Sequence, residues 1–405
     1  MSKRFVLFFV VIVAMVLASC SPAASAAPTA TAANSASSSP TSAPTASSGA
    51  PAACSTDSFG CAKIDPGQTI KIGMGAPMTG GNASYGIDIS QGGMVATQDA
   101  GTLNGFKFEL VAEDDNGDAE GGASVANKLV SDPTVVAIAG HIFSGATQAA
   151  IPIYEKAGLP MLSPSATNPA LTTTGSKVFN RIAFTDSTQA KFAAAYLFNK
   201  LGVKNLAILH DGSDYGKGLA ELVQTDFAAL GGKVVIFQAI TTGAGDFTNV
   251  LSAVASFKPE AVYFGGYVAD ASVLVNEMKT TGLEKAVFFG CDGTYGADFL
   301  TNTGANGEGA YAVTLTPPDS AVKAAFDQKY QTQFGKAPGV LSPYTWNGYD
   351  SVAALISVVK QVAVLGGDGS LYVPRGALVT AVRSLKDYQG LTGTFTRLPG
   401  LVGAG

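Results

Sequence analysis

From Thr69 to Phe289 the chain alternates short β-branched or apolar runs with amphipathic stretches of about 12 to 16 residues, a pattern that predicts βαβ units and parallel sheets. The predicted strands are IKIGMGA (70–76), FKFELVAED (106–114), VVAIAGH (135–141), LPMLSPS (159–165), NLAILHD (205–211), KVVIFQAI (233–240), AVYFGGY (261–267) and AVFFGCD (286–292). Several are apolar throughout, as strands covered by helices on both faces should be. Between them, Ala119 to Val130, Thr188 to Leu201 and Gly218 to Leu230 carry helical spacing. The expected fold class is α/β.

In open sheets of this kind ligands sit beyond the carboxyl ends of the strands, so those ends should hold the chemistry. They are rich in small and hydroxyl residues, among them Ser144-Gly145-Ala146-Thr147, Ser163-Pro164-Ser165-Ala166-Thr167 and Asp292-Gly293-Thr294. Ser144 to Thr147, entering a helix, offers hydroxyls and free N–H groups to an anion such as a carboxylate, or simply caps that helix. Asp292 suits a ligand ammonium, or caps the turn that follows it. Tyr85, Tyr215 and Tyr267 bring rings with hydroxyl donors, whether as pocket walls or as packing.

The N-terminus changes the picture from a bare domain to an exported one. Met1 to Arg4 is charged, Phe5 to Ala18 is apolar, and Leu17-Ala18-Ser19-Cys20 closes the run, so an export signal is expected over 1–20. Fourteen apolar residues fall short of the ~20 that a spanning helix needs. Those last four residues resemble a bacterial lipobox, which makes Cys20 the acylated N-terminus of the mature chain. The next stretch, dominated by Ala, Ser, Thr and Pro, cannot bury enough surface to fold and reads as a tether assigned to 21–65. As a flexible coil, its low-complexity part of roughly 33 residues would hold the body on the order of 30 Å from the membrane. Cys54 and Cys61 bracket a six-residue loop, a spacing that admits a disulfide in an oxidising compartment, while Cys291 reads as a buried lone thiol.

Composition then removes function classes. Without Lys3 and Arg4 the chain carries 23 basic against 30 acidic residues, a net charge of −7, so nucleic acid is not an expected partner. Gly73 and Gly75 lack the third glycine, and the acidic residue about twenty positions on, of a dinucleotide site. Asp114, Asn116 and Asp118 imitate a calcium loop but have Ala119 for its glycine and Val125 for its glutamate. The two histidines, His141 and His210, have no nucleophile motif nearby and read as hydrogen-bonded structural residues. No enzyme, metal or cofactor is expected; what survives is binding without turnover.

The run VVAIAGHIFSGATQAAIPIYEKAGLPMLSPSATNPALT (135–172), with HDGSDYGKGLA (210–220), ITTGAGDFTNVL (240–251) and AVYFGGY (261–267), closely resembles the leucine/isoleucine/valine-binding proteins of ABC importers, over about Ile70 to Arg397. The resemblance implies the type I periplasmic binding protein fold: two doubly wound parallel-sheet lobes joined by three hinge crossings, with ligand clamped between them. It places residues 66–185 and 317–386 in the first lobe and 186–316 and 387–405 in the second. By position, Ser144, Ser165, Ala166 and Thr167 fall where the family holds the α-carboxylate and α-ammonium. Tyr85 matches the aromatic that covers the ligand, and Tyr215 and Tyr267 match tyrosines of the second lobe. Asp292 stands where branched-chain binders have a glutamate, one methylene longer, which puts the depth of the pocket and its side-chain preference in question. Gly117 and Phe143 replace a pair of cysteines that some members bridge. After GLTGTFTR (390–397) the family continues through further strands, whereas this sequence ends at LPGLVGAG.

The expected protein is therefore a monomeric solute-binding lipoprotein, held on the outer side of a bacterial membrane in the periplasm or at the cell surface. It captures an amino acid, branched-chain by preference, and delivers it to the permease of an ABC importer. The alternatives are a ligand sensor of the same fold, or a binder of amides, urea or aromatic acids.

Overall fold

The computed structural model describes residues 49–395. The predicted export signal and Cys20 lie outside them. The expected tether ends earlier than residue 65. Ala52–Thr56 forms a helical turn (α1) and Cys61–Ile64 a strand (β1), with Cys54 and Cys61 bridged at a Cα separation of 5.2 Å. Low-complexity composition stops at Cys54, and the buried side chains of Ala62 and Ile64 give this segment a core to join. Asp57, inside the bridged loop, accepts the N–H groups of Gly376 and Ala377 at 2.9 and 3.0 Å and so caps a distant helix.

The first lobe is built on β2 (Ile70–Ala76), β3 (Thr102–Leu103), β4 (Phe106–Asp114), β5 (Val135–Ile138), β6 (Met161–Ser163) and β7 (Phe179–Arg181), with α2 (Ala83–Asp99), α3 (Ala119–Ser131) and α4 (Ser144–Ala157). Its sheet runs β3-β4-β2-β5-β6-β7, parallel except where β3 folds back on β4. The strand predicted over 159–165 shrinks to three residues because Pro160 and Pro164 flank it and neither has an N–H for the ladder.

The second lobe carries β8 (Asn205–His210), β9 (Lys233–Ala239), β10 (Ala261–Gly265), β11 (Val287–Gly290) and β12 (Tyr311–Ala312) in the fully parallel order β12-β11-β10-β8-β9. Its helices are α5 (Asp186–Ala195), α6 (Asp214–Ala229), α7 (Thr248–Ala255), α8 (Val268–Met278) and α9 (Ala297–Thr303). The central strands are buried along nearly their whole length, as covered parallel strands must be.

After β12 the chain returns to the first lobe with α10 (Ala321–Phe334), α11 (Thr345–Val362), β13 (Val364–Leu365), β14 (Leu371–Pro374) and α12 (Arg375–Arg383). Gly92 of α2 faces the Thr345 carbonyl and Gly348 of α11 faces the Ile89 carbonyl, each where a Cβ would collide at 2.1–2.2 Å. Glycine at these crossings lets the two backbones pack directly. β15 (Tyr388–Gly390) and β16 (Gly393–Phe395) form a hairpin. The resemblance assigns that hairpin to the second lobe, yet it packs on the first. Leu391 is buried with Val95, Phe326, Tyr330 and Trp346, and the Asp350 carboxylate of α11 accepts the Leu391 and Thr392 N–H groups and the Thr392 hydroxyl at 2.6–2.9 Å. Among the described residues two connections cross between the lobes, at 182–185 and 313–320; a crossing after Phe395 would lie outside them.

Candidate functional site

The carboxyl ends of the two sheets face each other, and the loops leaving β2, β5, β6, β8, β10 and β11 meet there. Asp292 ends the β11 loop and is 3% exposed. On one carboxylate oxygen it receives the Gln189 amide at 2.5 Å and the Tyr215 hydroxyl; on the other it receives the Tyr344 hydroxyl at 2.6 Å. Its N–H donates to the Gln189 side-chain carbonyl at 2.9 Å, so one glutamine holds both ends of this residue. The Tyr85 hydroxyl lies 2.7 Å from the Asp292 carbonyl and 2.6 Å from that of Tyr295, with a single proton for the two. Asp292 makes no salt bridge among the described residues.

Burial, reinforced by the Asp292 charge, pushes the hydroxyls of Tyr85, Tyr215 and Tyr344 well above the ordinary tyrosine range; burial does the same for Tyr267, with Asp211 as the next contributor. All four stay protonated donors at neutral pH. Asp186, in the first turn of α5, is driven well up by burial with Asp292 adding to it, against the smaller opposing effect of the Thr167 hydroxyl.

On the opposite side α4 begins at Ser144, whose hydroxyl accepts only a long contact from the Asn168 N–H at 3.4 Å. The first N–H groups of that helix have no partner one turn back, which makes its start a place for negative charge. The Thr147 hydroxyl adds nothing there, because it is occupied by the Phe143 carbonyl at 2.8 Å. Ser165 donates to the Ile142 carbonyl at 2.7 Å. Phe143 stacks on Tyr267 with centroids 4.0 Å apart and planes 12° apart, while Tyr85 meets its edge at 6.1 Å. Gly117 and Phe143 are neighbours, since a Cβ on Gly117 would stand 2.8 Å from the ring.

Six of the residues singled out in the sequence, Tyr85, Ser144, Ser165, Tyr215, Tyr267 and Asp292, therefore line one cavity together with Phe143 and Tyr344. Ala166 and Thr167 do not reach its wall. The Ala166 carbonyl accepts the buried Arg181 guanidinium at 3.0 Å, and the Thr167 hydroxyl is buried beside Asp186. Three polar residues of the site, Asp186, Gln189 and Tyr344, escaped the sequence pattern. Asp186 and Gln189 had a signal, as polar residues three apart on the buried face that also carries Ala190 and Ala193; Tyr344 had none.

The cavity measures ≈ 10 Å³, about enough for one water, so the lobes are closed on each other. Asn168 clasps the Asp214 carbonyl across the cleft at 2.6 Å. Roomier hollows of ≈ 490 and ≈ 330 Å³ flank the second crossing, but no charged side chain lines either. Convergent polar groups rather than volume identify the site.

The acidic residues that imitated a calcium loop serve the backbone instead: Asp114 accepts the Met78 and Asn116 N–H groups, and Asp118 caps α3 through Gly121 at 2.7 Å. His141 is fully buried between Asp115 at 2.7 Å and the Tyr154 hydroxyl at 3.0 Å. Among the described residues no cluster suits a metal ion, and no helix is long and apolar enough to cross a membrane.

Comparison with known proteins places this geometry. A family model described as periplasmic binding protein matches residues 69–400. A leucine-, isoleucine-, valine-, threonine- and alanine-binding protein of Pseudomonas aeruginosa is 34% identical over 275 residues, 66% of this chain and 73% of that one. The leucine-specific-binding protein of Salmonella typhimurium is 32% identical over 303 residues, 73% of this chain and 79% of that one. Among solved structures, a branched-chain amino acid transporter substrate-binding protein of Streptococcus pneumoniae in complex with isoleucine superposes with a TM-score of 0.71 at 29% identity, over 81% of this chain and 91% of that one. All three are named as binding proteins, the Streptococcus pneumoniae one as the substrate-binding protein of a transporter. The chain belongs to the periplasmic binding proteins of the leucine/isoleucine/valine-binding type.

Proposed function

We propose that this protein holds an amino acid between its lobes and passes it to the permease of an ABC importer, while its acylated Cys20 keeps it at the outer side of a membrane. One observation carries the ligand assignment. A buried carboxylate, Asp292, is ringed by neutral donors with no cation beside it, and it faces the start of a helix across the cleft. An α-ammonium completes the first and an α-carboxylate the second. In this account Ser144 and the N–H groups of α4 take the carboxylate, while Ser165, its hydroxyl proton held by the Ile142 carbonyl, lines the wall beside them and Thr167, turned toward Asp186, stands outside the cavity. Tyr85, Tyr215 and Tyr267 close over the ligand.

Closure adds contacts from the second lobe that the open form lacks, so ligand favours the closed form that a permease recognises. The names of the relatives, which specify leucine, isoleucine and valine among others, support an amino acid as the ligand class.

The test is a calorimetric titration with an amino acid and its deaminated analogue. Leaving one member of a desolvated charge pair alone costs about 2–5 kcal/mol, so the analogue should bind at least roughly thirty-fold more weakly. Asp292→Asn should abolish that discrimination; equal binding of both compounds by the unmodified protein would sink the ammonium assignment. For the anchor, Cys20→Ala should move the protein from the membrane fraction to the soluble extracytoplasmic fraction. An unmodified protein that is already soluble would contradict it.

A further inference from the structure

The relatives described above are named for leucine, isoleucine, valine, threonine and alanine, but the cleft wall here carries a ring at Phe143 that changes what fits. Phe143 leaves β5 in the first lobe and Tyr267 leaves β10 in the second, and their rings lie face to face at 4.0 Å and 12°. Neither ring has room to withdraw. Behind Phe143 lies Gly117, whose missing Cβ is the space that the ring edge occupies. Behind Tyr267 lies Tyr215, 5.1 Å away between centroids. Both stacked rings are next to the polar ends of the site, since Phe143 directly precedes Ser144 and Tyr267 lines the same cavity as Asp292.

A ligand whose polar atoms engage Ser144 and Asp292 lies beside these two parallel faces, which part only as the lobes part and give its side chain a slot to enter. A flat conjugated group needs the faces about 7 Å apart, two aromatic contacts of about 3.5 Å each, and gains dispersion on both sides. A branched aliphatic group is thicker and presents no face, so it holds the cleft wider for less contact. From this we infer that Phe143 sets the specificity of the site and selects an amino acid with a planar side chain, aromatic or similarly conjugated, over leucine, isoleucine or valine. The inference rests on the amino-acid reading of the cleft.

The experiment is calorimetry of the full mature chain with phenylalanine, tyrosine, leucine, isoleucine, alanine and phenylacetate, repeated on Phe143→Leu and Phe143→Cys. The unmodified protein should bind the aromatic amino acids at least tenfold more tightly than the aliphatic ones. Phe143→Leu keeps bulk against Gly117 but removes the face, so it should weaken the aromatic ligands roughly three- to tenfold and leave leucine unchanged or tighter, in line with the strength of an aromatic pair. Phe143→Cys, judged on samples with an intact thermal unfolding transition, should narrow the same ratio. Tighter binding of leucine, isoleucine or alanine by the unmodified protein overturns the inference, and so does an equal loss for both ligand classes in the variants. Binding of phenylacetate that depends on Phe143, with no binding of any amino acid, keeps the ring sandwich and removes the ammonium role of Asp292. Binding of none of the six removes both.

Discussion

Asp350 and Asp292 are both buried carboxylates that receive three side-chain or backbone donors and make no salt bridge among the described residues, yet they do opposite work. Every donor to Asp350 comes from Leu391 and Thr392 of one hairpin, two of them backbone N–H groups, and Gly390 lies so close that a Cβ there would stand 2.5 Å from the carboxylate. Nothing mobile contributes. The donors to Asp292 are side chains from both lobes, Gln189 and Tyr215 on one side of the cleft and Tyr344 on the other. When the lobes separate, part of that shell leaves. A carboxylate closed by fixed backbone is a fastening, whereas one closed by side chains from two bodies is a site whose partner can be exchanged for a ligand.

The largest effect expected from breaking this contrast is at Asp350. Asp350→Ala strands two backbone N–H groups and a hydroxyl, and hydrogen bonds to a charged group contribute about 1.5–3 kcal/mol each, so unfolding in urea should show a loss of about 3 kcal/mol or more. Ligand affinity of the folded fraction should stay within a few-fold.

A smaller effect, with a definite sign, is expected at Asp186. Its folded pKa lies well above the unfolded value near 3.8, chiefly through burial. The folded protein then holds a proton that the unfolded chain has shed, and stability falls as pH rises from about 4 through the folded pKa. Asp186→Asn cannot ionise, so it should be the more stable protein at neutral pH, with the gap closing as the pH drops below about 4. Parallel stability profiles of the two proteins, measured by denaturant at several pH values, would refute the assignment. The smallest effect is expected at Tyr344. Tyr344→Phe removes one of three donors to Asp292 while keeping the ring, and a single bond to a charged group contributes about 1.5–3 kcal/mol, so affinity should fall at least roughly ten-fold with little change in unfolding midpoint.

Much of this was legible in the chain. Runs such as IKIGMGA and NLAILH announce parallel strands because a covered strand must be apolar on both faces, and six site residues sit where those strands end. The elements past Phe289 were not legible as a repeat, since their strands are only two to four residues long and gain their identity from pairing, as β1 does with β14 across three hundred residues of sequence. The shell of Asp292 was hidden for a related reason. Gln189 is 103 residues from its partner and Tyr344 is 52, and only the tertiary fold brings them together. Thr167 shows the converse: its position at a strand end suggested a wall residue, but the β6 loop turns its side chain toward the interior beside Asp186 rather than into the closed cavity.

The most direct test of the contrast between the two carboxylates is a titration of Asp292→Asn and Asp350→Ala, side by side, with one amino acid that the unmodified protein binds, each sample also followed through thermal unfolding. Asp292→Asn should lose at least roughly thirty-fold in affinity and unfold near the unmodified midpoint, because one charge is removed from a shell made of exchangeable side chains. Asp350→Ala should unfold earlier and bind almost normally. The opposite pairing, with affinity intact in Asp292→Asn or lost mainly in Asp350→Ala, would contradict the placement of the ligand site at Asp292.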